Sequence, residues 1–388
     1  MGSRSLAALL LLVAAIAHAE DAPKPVQASG YLKELWEYSS SSIDGRPYFL
    51  NIDRARLTLD ASKSVFKAHV DYDHEVDAGS FFRTRDFQAF GIPQPPFWLT
   101  MDQTISTGTT NRYFHRLYRG WAGLDGDSGT LRFGRQRIAW GTGKLWNPTD
   151  VLNPYQPTAV ENDERAGVDA LYSRYALGDL SSAELAWAPN DRWPAHSLLA
   201  RFKTNVKNYD ASIMGGKISS STDSWMVGGD LAGNFYDGTL HAEWSYTDLK
   251  VRTPFWKADL GYDYTFPTET KLWPLRDAAV VVEYFHSGSG ALDRSQYQFS
   301  QLLTGRTVTL AQDYLGFTYA KDLHTLLKLQ LALITNLNDG SGFYSPTLQY
   351  NVMENLYLTG GLQRFGGGKG TEFGRVPNLG FLQAQYFF

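Results

Sequence analysis

The chain of 388 residues contains no cysteine and carries a formal net charge of −4. The lack of cysteine excludes disulfides, thiolate metal sites and cysteine nucleophiles. The near balance of charge argues against a nucleic-acid-binding protein, which would be expected to present a strongly basic face. Because no linker or change of composition interrupts the chain, we expect residues 20–388 to form one domain.

The N-terminus has the three parts of a secretory signal peptide. The basic residue Arg4 precedes an apolar stretch from Leu6 to Ala17, and Ala17-His18-Ala19 supplies the small residues of a cleavage site. A membrane-spanning helix needs about 20 apolar residues, so this stretch is too short to cross a bilayer. We predict that residues 1–19 are a signal peptide and that the chain is exported. The rest of the sequence has no longer apolar run, so it would cross a membrane only as strands.

Apolar and polar residues alternate along many segments, which is the pattern of β-strands with two unlike faces. In the segment 255–266, apolar or aromatic residues occupy the even positions from Trp256 to Phe266, whereas Lys257, Asp259 and Asp263 occupy odd positions. One face therefore suits lipid and the other suits water. A soluble β-sandwich alternates in the same way, so alternation alone does not separate the two folds.

The alternating segments predict eighteen strands, most of them close to the 9–11 residues that a tilted strand needs to cross a bilayer. They are 30–38, 48–60, 64–74, 113–123, 129–138, 166–176, 181–188, 197–205, 208–217, 224–233, 236–248, 255–266, 278–287, 313–321, 325–335, 343–351, 355–365 and 379–388. The connection 267–277 is longer than its position in the series predicts. Sixteen strands is therefore the alternative count.

The lengths of the connections distinguish the membrane fold from the sandwich. Apart from 267–277, every even-numbered connection is short, and the long segments 76–112, 139–165, 289–312 and 366–377 all fall at odd-numbered connections. Outer-membrane barrels pair short periplasmic turns with long extracellular loops in this way. The sequence therefore predicts an all-β transmembrane antiparallel barrel of about eighteen strands, wide enough to leave an aqueous lumen.

The C-terminal segment 380–388 places Leu382, Ala384, Tyr386 and Phe388 on one face and ends on an aromatic residue. It resembles the last strand of bacterial outer-membrane proteins, and the whole chain resembles Gram-negative porin-like barrels. The segment 134–141, followed by Asn-Pro-Thr-Asp at 147–150, is similar to a stretch found in uncharacterised porins. The resemblance implies contact with outer-membrane lipid, recognition of the strand ending in Phe388 by the barrel-assembly machinery, and a homotrimer.

The function expected of such a barrel is passive or weakly selective diffusion of small hydrophilic solutes or ions, without a cofactor. Two alternatives remain open. One is a barrel that sheathes a separate multihaem cytochrome, because the chain has no haem-attachment motif of its own. The other is a plugged adhesin or outer-membrane enzyme. No catalytic motif supports an enzyme: His74-Glu75 lacks the second histidine of a zinc protease motif, and the glycines at 141 and 143 lack the order of a phosphate loop.

Two groups of charged residues on predicted strands are candidates for the pore lining. Charges facing lipid at the midplane cost roughly 2–4 kcal/mol, so most of them should face the lumen. The predicted basic wall comprises Arg54, Arg56, Arg116, Arg119, Arg135 and Arg137, and the predicted acidic wall comprises Glu243, Asp259, Asp263 and Glu283. Such walls would place a transverse field across the pore and set its selectivity. Alternatively, the charges pair with one another and form a packed wall without a role in transport.

Two long loops are candidates for a constriction, because loops of more than about 15 residues are uncommon unless they are functional or disordered. The first, 76–112, contains Arg83 and Arg85. The second, 139–165, contributes Asp150, Glu161, Asp163 and Arg165. We expect at least one of these loops to fold into the lumen, and the alternative is a cap that only shields the rim. For loop tryptophans such as Trp146, packing is favoured over stacking against a sugar ring. No metal site is predicted.

Overall fold

A computed structural model describes residues 25–92, 97–154, 156–161, 165, 167–192, 195–219, 224–250, 253–303 and 307–388. The predicted signal peptide, residues 1–19, lies outside this part of the chain. Within the described residues the structure is dominated by strands, and no helix there is long and apolar enough to cross a membrane.

The strands form one antiparallel sheet that closes on itself. Their bounds are β1 Val26–Ser40, β2 Pro47–Lys63, β3 Phe66–Gly79, β4 Asp102–Thr107, β5 Asn111–Gly126, β6 Gly129–Gln136, β7 Val168–Ala176, β8 Ser182–Pro189, β9 His196–Val206, β10 Tyr209–Ile218, β11 Ser224–Phe235, β12 Gly238–Asp248, β13 Phe255–Thr265, β14 Ala279–Ser287, β15 Asp313–His324, β16 Leu327–Asn336, β17 Gly342–Met353, β18 Leu356–Gly366 and β19 Leu379–Phe387. Two short helices, α1 Arg85–Phe90 and α2 Phe299–Leu303, lie in the long connections.

The barrel closes because β1 pairs with β2 on one side and with β19 on the other. At this seam the backbone N–H of Gly30 donates to the carbonyl of Phe388 at 2.9 Å, and the Phe388 N–H donates back at 3.0 Å. A closed sheet leaves no unpaired strand edge in contact with lipid, where unpaired backbone groups cost several kcal/mol each. The last residue of the chain therefore completes the barrel wall.

All eighteen predicted strands are present as barrel strands, and the alternative count of sixteen is wrong. The long connection that suggested it is genuine, because β13 ends at Thr265 and β14 begins at Ala279. At the short turns the backbone has the conformation that tight hairpins need. Between β9 and β10, for example, Lys207 and Asn208 have φ values of 52° and 68°, as a two-residue type I′ turn requires.

β4 is the one strand that the sequence analysis placed inside a loop. β6 pairs only with the C-terminal part of β5, from Gly120 to Gly126. β4 folds back from the long connection after β3 and pairs with the N-terminal part of β5, from Arg112 to Arg116. It satisfies backbone groups of β5 that the short strand β6 cannot reach. β4 thus extends the sheet beside β5, but it is not one of the eighteen strands that close the barrel.

The two faces of the wall differ as the alternation predicts. On β13, the side chains of Trp256 and Leu260 are 54% and 53% exposed on the outer face, whereas Asp259 is 2% exposed on the inner face. Acidic, basic and hydroxyl side chains fill the inner face of most strands. An apolar exterior around a polar interior is the arrangement of a transmembrane barrel with a hydrated lumen.

Candidate functional site

The described residues of the connection between β6 and β7, 137–154, 156–161, 165 and 167, enter the lumen, and we call them the luminal loop. Its contacts with the inner wall follow the circumference of the barrel. Trp140 Nε1 donates to Glu184 on β8 at 2.7 Å, Gln363 on β18 donates to the Thr158 carbonyl at 3.0 Å, and Arg119 on β5 donates to the Arg165 carbonyl at 2.5 Å. The loop therefore lines the inside of the barrel, as predicted for at least one of the two long loops, and any path through the lumen passes it.

Two residues of the predicted acidic wall hold the loop by its backbone. The Glu243 carboxylate accepts hydrogen bonds from the N–H groups of Thr142 and Gly143 and from Thr149 Oγ1, the latter two at 2.7 and 3.0 Å. Glu283 accepts from the N–H groups of residues 144, 145 and 146. Both carboxylates are buried. They supply acceptors to backbone donors that have no regular secondary structure to pair with.

Apolar packing fixes the loop on either side of these anchors. Ile138 and Trp140 pack against small and apolar residues on the inner faces of β7 to β11. Leu145 and Trp146 pack against β14 to β17, where the Trp146 ring stacks on Phe285 with centroids 5.3 Å apart. Trp146 is 2% exposed, so it serves packing, as the sequence analysis favoured.

The arginines of the predicted basic wall on β2 and β5 face inward and lie beside carboxylates of β3. Arg56 forms a bidentate pair with Asp73, at 2.6 and 2.8 Å. Arg54 pairs with Glu75, and Arg116 lies 3.3 Å from Asp73. Arg119 Nη1 lies 3.9 Å from Asp71 Oδ2. Every guanidinium of this group thus has a neighbouring anion that offsets its charge.

Glu161 of the luminal loop adds a further carboxylate to this network. Its Oε1 lies 2.8 Å from both Lys33 Nζ on β1 and Arg54 Nη1 on β2. Burial alone would raise the pKa of Glu161, but Arg54 and Lys33 outweigh that effect and lower it to about 2. The ionised carboxylate therefore holds the loop against the adjacent strands β1 and β2.

Asp150 and Arg165, two other constriction candidates, lie together within the luminal loop. Arg165 Nη1 is 3.4 Å from Asp150 Oδ2, and Asp150 Oδ1 accepts from the Asn153 N–H at 3.0 Å. Asp150 is 4% exposed. Burial raises its pKa to about 7, since the hydrogen bond from Asn153 and the charge of Arg165 only partly compensate. These residues brace the loop rather than present charge to the pore.

Three predicted site residues occupy other places. Arg135 does not line the lumen: it leaves β6 on the opposite face from Arg132, is 1% exposed, and lies between Asp169, the Leu99 carbonyl and the Phe97 ring. Arg83 and Arg85 are both exposed, and Arg85 Nε lies 3.7 Å from Asp44 Oδ2 in the β1–β2 loop.

Asp163 lies outside the described residues.

Charged groups that reach luminal water are fewer than the sequence suggests. On the acidic wall Asp259, Glu243 and Glu283 are each at most 2% exposed, and the Asp263 side chain is 25% exposed. Two basic residues of the luminal loop, Arg137 and Lys144, are exposed. Partial burial and, to a smaller extent, the neighbouring guanidinium groups of Arg165 and Arg119 lower the pKa of Arg137.

Sequence reasoning missed the acidic partners on β3, although a signal for them is present. Asp71, Asp73, Glu75 and Asp77 occupy every second position of one strand, so they share its inner face. The strand lies between the arginine-bearing strands β2 and β5. Lys33 was missed as well, because a single lysine on a strand gives no pattern. A search for complementary charges on adjacent predicted strands would have found the β3 carboxylates.

Comparisons with known proteins agree with this architecture. The Gram-negative porin family matches residues 5–370 of the chain. Among solved structures, Pseudomonas aeruginosa OccK5 (OpdH) has a TM-score of 0.56 at 10% identity, covering 94% of this chain and 98% of that one. The Pseudomonas aeruginosa outer membrane protein opdK gives the same TM-score, identity and coverage. Acinetobacter baumannii OccAB4 has a TM-score of 0.56 at 8% identity with the same coverage.

No curated protein sequence matches the chain. The structural likenesses, at 8–10% identity, concern the fold. The family match covers nearly the whole chain. Together with the closed eighteen-strand wall and the hydrated inner face, it leads to one conclusion: this chain belongs to the Gram-negative porins and forms a channel in the bacterial outer membrane.

Proposed function

We propose that this porin conducts small hydrophilic solutes and ions by passive diffusion, and that the luminal loop, rather than the barrel wall, sets its weak charge selectivity. The observation that supports this proposal is the difference in exposure between the arginines of the wall and the cations of the loop. Wall arginines such as Arg54 and Arg56 are 6% exposed and paired with carboxylates, whereas Arg137 and Lys144 of the loop are exposed. A charge with an adjacent counter-charge largely cancels at the distance of a passing ion, and an uncompensated one does not. Arg137 has no salt-bridge partner among the described residues, and Lys144, whose side chain is 54% exposed, is compensated only by Asp263 at 3.7 Å.

The proposal gives a direction for the selectivity. Two exposed cations on the loop, next to the partly exposed Arg116 and Arg119, favour anions over cations of the same size. The acidic wall does not oppose this strongly, because the loop covers most of its carboxylates. Neither the family match nor the structural neighbours support the sheath of a multihaem cytochrome, a plugged adhesin or an enzyme.

The test is single-channel recording of the mature protein in a planar bilayer under a salt gradient. Stable open steps are expected, with a reversal potential on the anion-selective side. Substitution of Arg137→Gln together with Lys144→Gln should move that potential toward cations. The matched control, Lys207→Gln with Lys271→Gln, removes the same charge from exposed connections between strands and should leave the potential in place. A folded wild-type barrel that conducts no current would contradict the proposal.

We also propose that copies of this porin associate through a polar patch on the outer face of β1 to β5. Glu34 and Asp53 lie opposite each other on β1 and β2, and His74 lies opposite His115 on β3 and β5, their rings stacked with centroids 5.7 Å apart. In lipid these groups would be desolvated, which is unfavourable for ionisable side chains. Acidic groups on one side and imidazoles on the other are complementary, so a ring of copies, such as a trimer, would pair them.

We propose two further partners, one for the outer surface and one for the C-terminal strand. The apolar outer face provides the contact with outer-membrane lipid. The C-terminal strand β19 completes the wall through the pairing of Phe388 with Gly30. We propose that the barrel-assembly machinery recognises this strand before the seam closes, while its edge is still unpaired.

A further inference from the structure

A group of side chains on the inner faces of β12, β13 and β14 is left incompletely satisfied beneath the luminal loop. His241, Asp259 and Glu283 come from the three adjacent strands, and all three are at most 2% exposed. One potential ligand atom from each lies within 4.8 Å of the other two. This group does not include Arg137 or Lys144, the charges proposed above to set the selectivity, although Glu283 also accepts the Lys144 N–H.

Asp259 is the residue whose surroundings most strongly indicate a ligand. Neither of its carboxylate oxygens has a hydrogen-bond partner among the described residues, although its side chain is buried and directed into the group. By contrast, loop N–H groups satisfy its neighbours Glu243 and Glu283. An unpaired buried carboxylate carries a large desolvation cost unless it is protonated or coordinates a cation.

The spacing of the group suits a metal ion. His241 Nε2 is 2.9 Å from Glu283 Oε1 and 3.8 Å from Asp259 Oδ2. Ligand atoms that each lie about 2.0–2.2 Å from one zinc ion are separated by at most about 4.4 Å, and both distances from His241 Nε2 are shorter than that. The other imidazole nitrogen, Nδ1, lies 3.5 Å from Asp263 Oδ1. These two atoms are close but not hydrogen-bonded in this structure. Metal-binding histidines commonly donate their second N–H to a carboxylate, and Asp263 is the carboxylate next to Nδ1.

A glycine makes room for the histidine. Gly261 on β13 lies between His241 and Glu283 in the strand register. A Cβ atom at this position would come within 2.1 Å of His241 Nε2 and 2.7 Å of Glu283 Cγ. Any side chain larger than hydrogen would therefore push the imidazole away from the two carboxylates. The absence of a side chain at Gly261 therefore allows His241, Asp259 and Glu283 to approach one another.

We propose that His241, Asp259 and Glu283 bind one divalent transition-metal ion of the zinc class, which ties β12, β13 and β14 together beneath the luminal loop. One imidazole with two carboxylates suits zinc and its first-row neighbours better than calcium or magnesium, which prefer ligand sets made of oxygen alone. A cavity of about 420 Å³ lies at the turn end of β12 to β14 and reaches Asp263, the neighbour of His241 Nδ1. Because Glu283 also accepts the loop N–H groups, the ion would stiffen the loop anchor.

The experiment uses the full-length barrel in detergent, stripped with a chelator and titrated with Zn²⁺ by calorimetry and with Co²⁺ by visible absorption. One ion per chain is expected, and millimolar Ca²⁺ or Mg²⁺ should not displace it. Asp259→Asn should weaken binding at least tenfold. This variant should fold, because Asp259 makes no hydrogen bond to lose among the described residues. Gly261→Ala should abolish the Co²⁺ spectrum by displacing the imidazole.

The matched control is Asp230→Asn. Asp230 is also buried on the inner face, on β11 next to β12, but it pairs with Arg201. Its removal should change Zn²⁺ affinity less than twofold. Equal weakening by both variants would mean that the acidic lumen only accumulates cations, and would overturn the proposal. No zinc binding by the wild-type barrel, or wild-type affinity in Asp259→Asn, would overturn it as well. If Gly261→Ala does not fold, Asp259→Asn and its control decide alone.

Discussion

Replacing Glu161 by glutamine should release one side of the luminal loop from the barrel wall. The pKa of Glu161 falls from 4.5 to about 2 through Arg54 and Lys33, and at 1.36 kcal/mol per pKa unit this corresponds to about 3 kcal/mol in favour of the ionised, clamped form. Since the folded-state pKa is the lower one, this stabilisation is fully present above about pH 4.5. It is lost as the pH falls toward 2.

Two measurements test the Glu161 clamp. Glu161→Gln should lower the thermal unfolding temperature at pH 7, and it should shift the reversal potential toward anions because Lys33 and Arg54 lose a counter-charge. The difference in potential between wild type and variant should persist at pH 4, where an ordinary glutamate would be mostly protonated. Glu269→Gln, in the exposed connection between β13 and β14, is the matched control and should change neither property. A difference that disappears between pH 5 and pH 4 would refute the clamp.

Three further predictions concern other contacts. Asp150→Asn should raise the unfolding temperature at pH 8 but not at pH 4. The pKa of the wild-type carboxyl is raised from 3.8 to about 7, so the folded protein loses up to ~4 kcal/mol of stability as the pH rises through that interval. Asparagine does not titrate and avoids this loss. Equal changes at the two pH values would contradict this. Trp146→Ala should destabilise the folded barrel by about 3–5 kcal/mol, measured by denaturant unfolding, while Tyr236→Ala, at an 88% exposed turn residue, should have little effect. Glu34→Leu with Asp53→Leu should reduce the cross-linked oligomer in detergent, and Leu260→Ala on the outer face of β13 should not; an undiminished oligomer would remove the polar patch from the interface.

The barrel itself could be predicted from the sequence because its determinants are local. Alternation over about ten residues predicts each strand, and the length of each connection indicates whether it is a turn or a long loop. Even the strands around 267–277 were placed correctly, although that connection broke the parity rule. β4 was missed because Asp102–Thr107 lies in a long loop and its only role is to pair with the part of β5 that β6 does not cover. That need arises from the register of three strands, which no local pattern reveals.

The candidate site was predictable only in part. The alternation assigns Arg54 and Arg116 to the inner face, and the structure agrees with both. It cannot reveal that each would meet a carboxylate of β3, because pairing depends on which strands are adjacent and on their register. Arg135 shows a second limit. Its parity differs from that of Arg132, and the guanidinium is enclosed by a segment from another loop, near Phe97.

The acidic wall shows why charged residues that the sequence places on the inner face need not interact with a passing solute. A loop that enters a lumen without regular secondary structure must find acceptors for its backbone N–H groups. Glu243 and Glu283 provide them, so two carboxylates that would otherwise face the pore are used to hold Thr142 to Trp146 in place. Asp259 is buried beside them, and it has no hydrogen-bond donor among the described residues. A single arrangement thus accounts for both the exposed cations of the loop and the unsatisfied carboxylate beneath it.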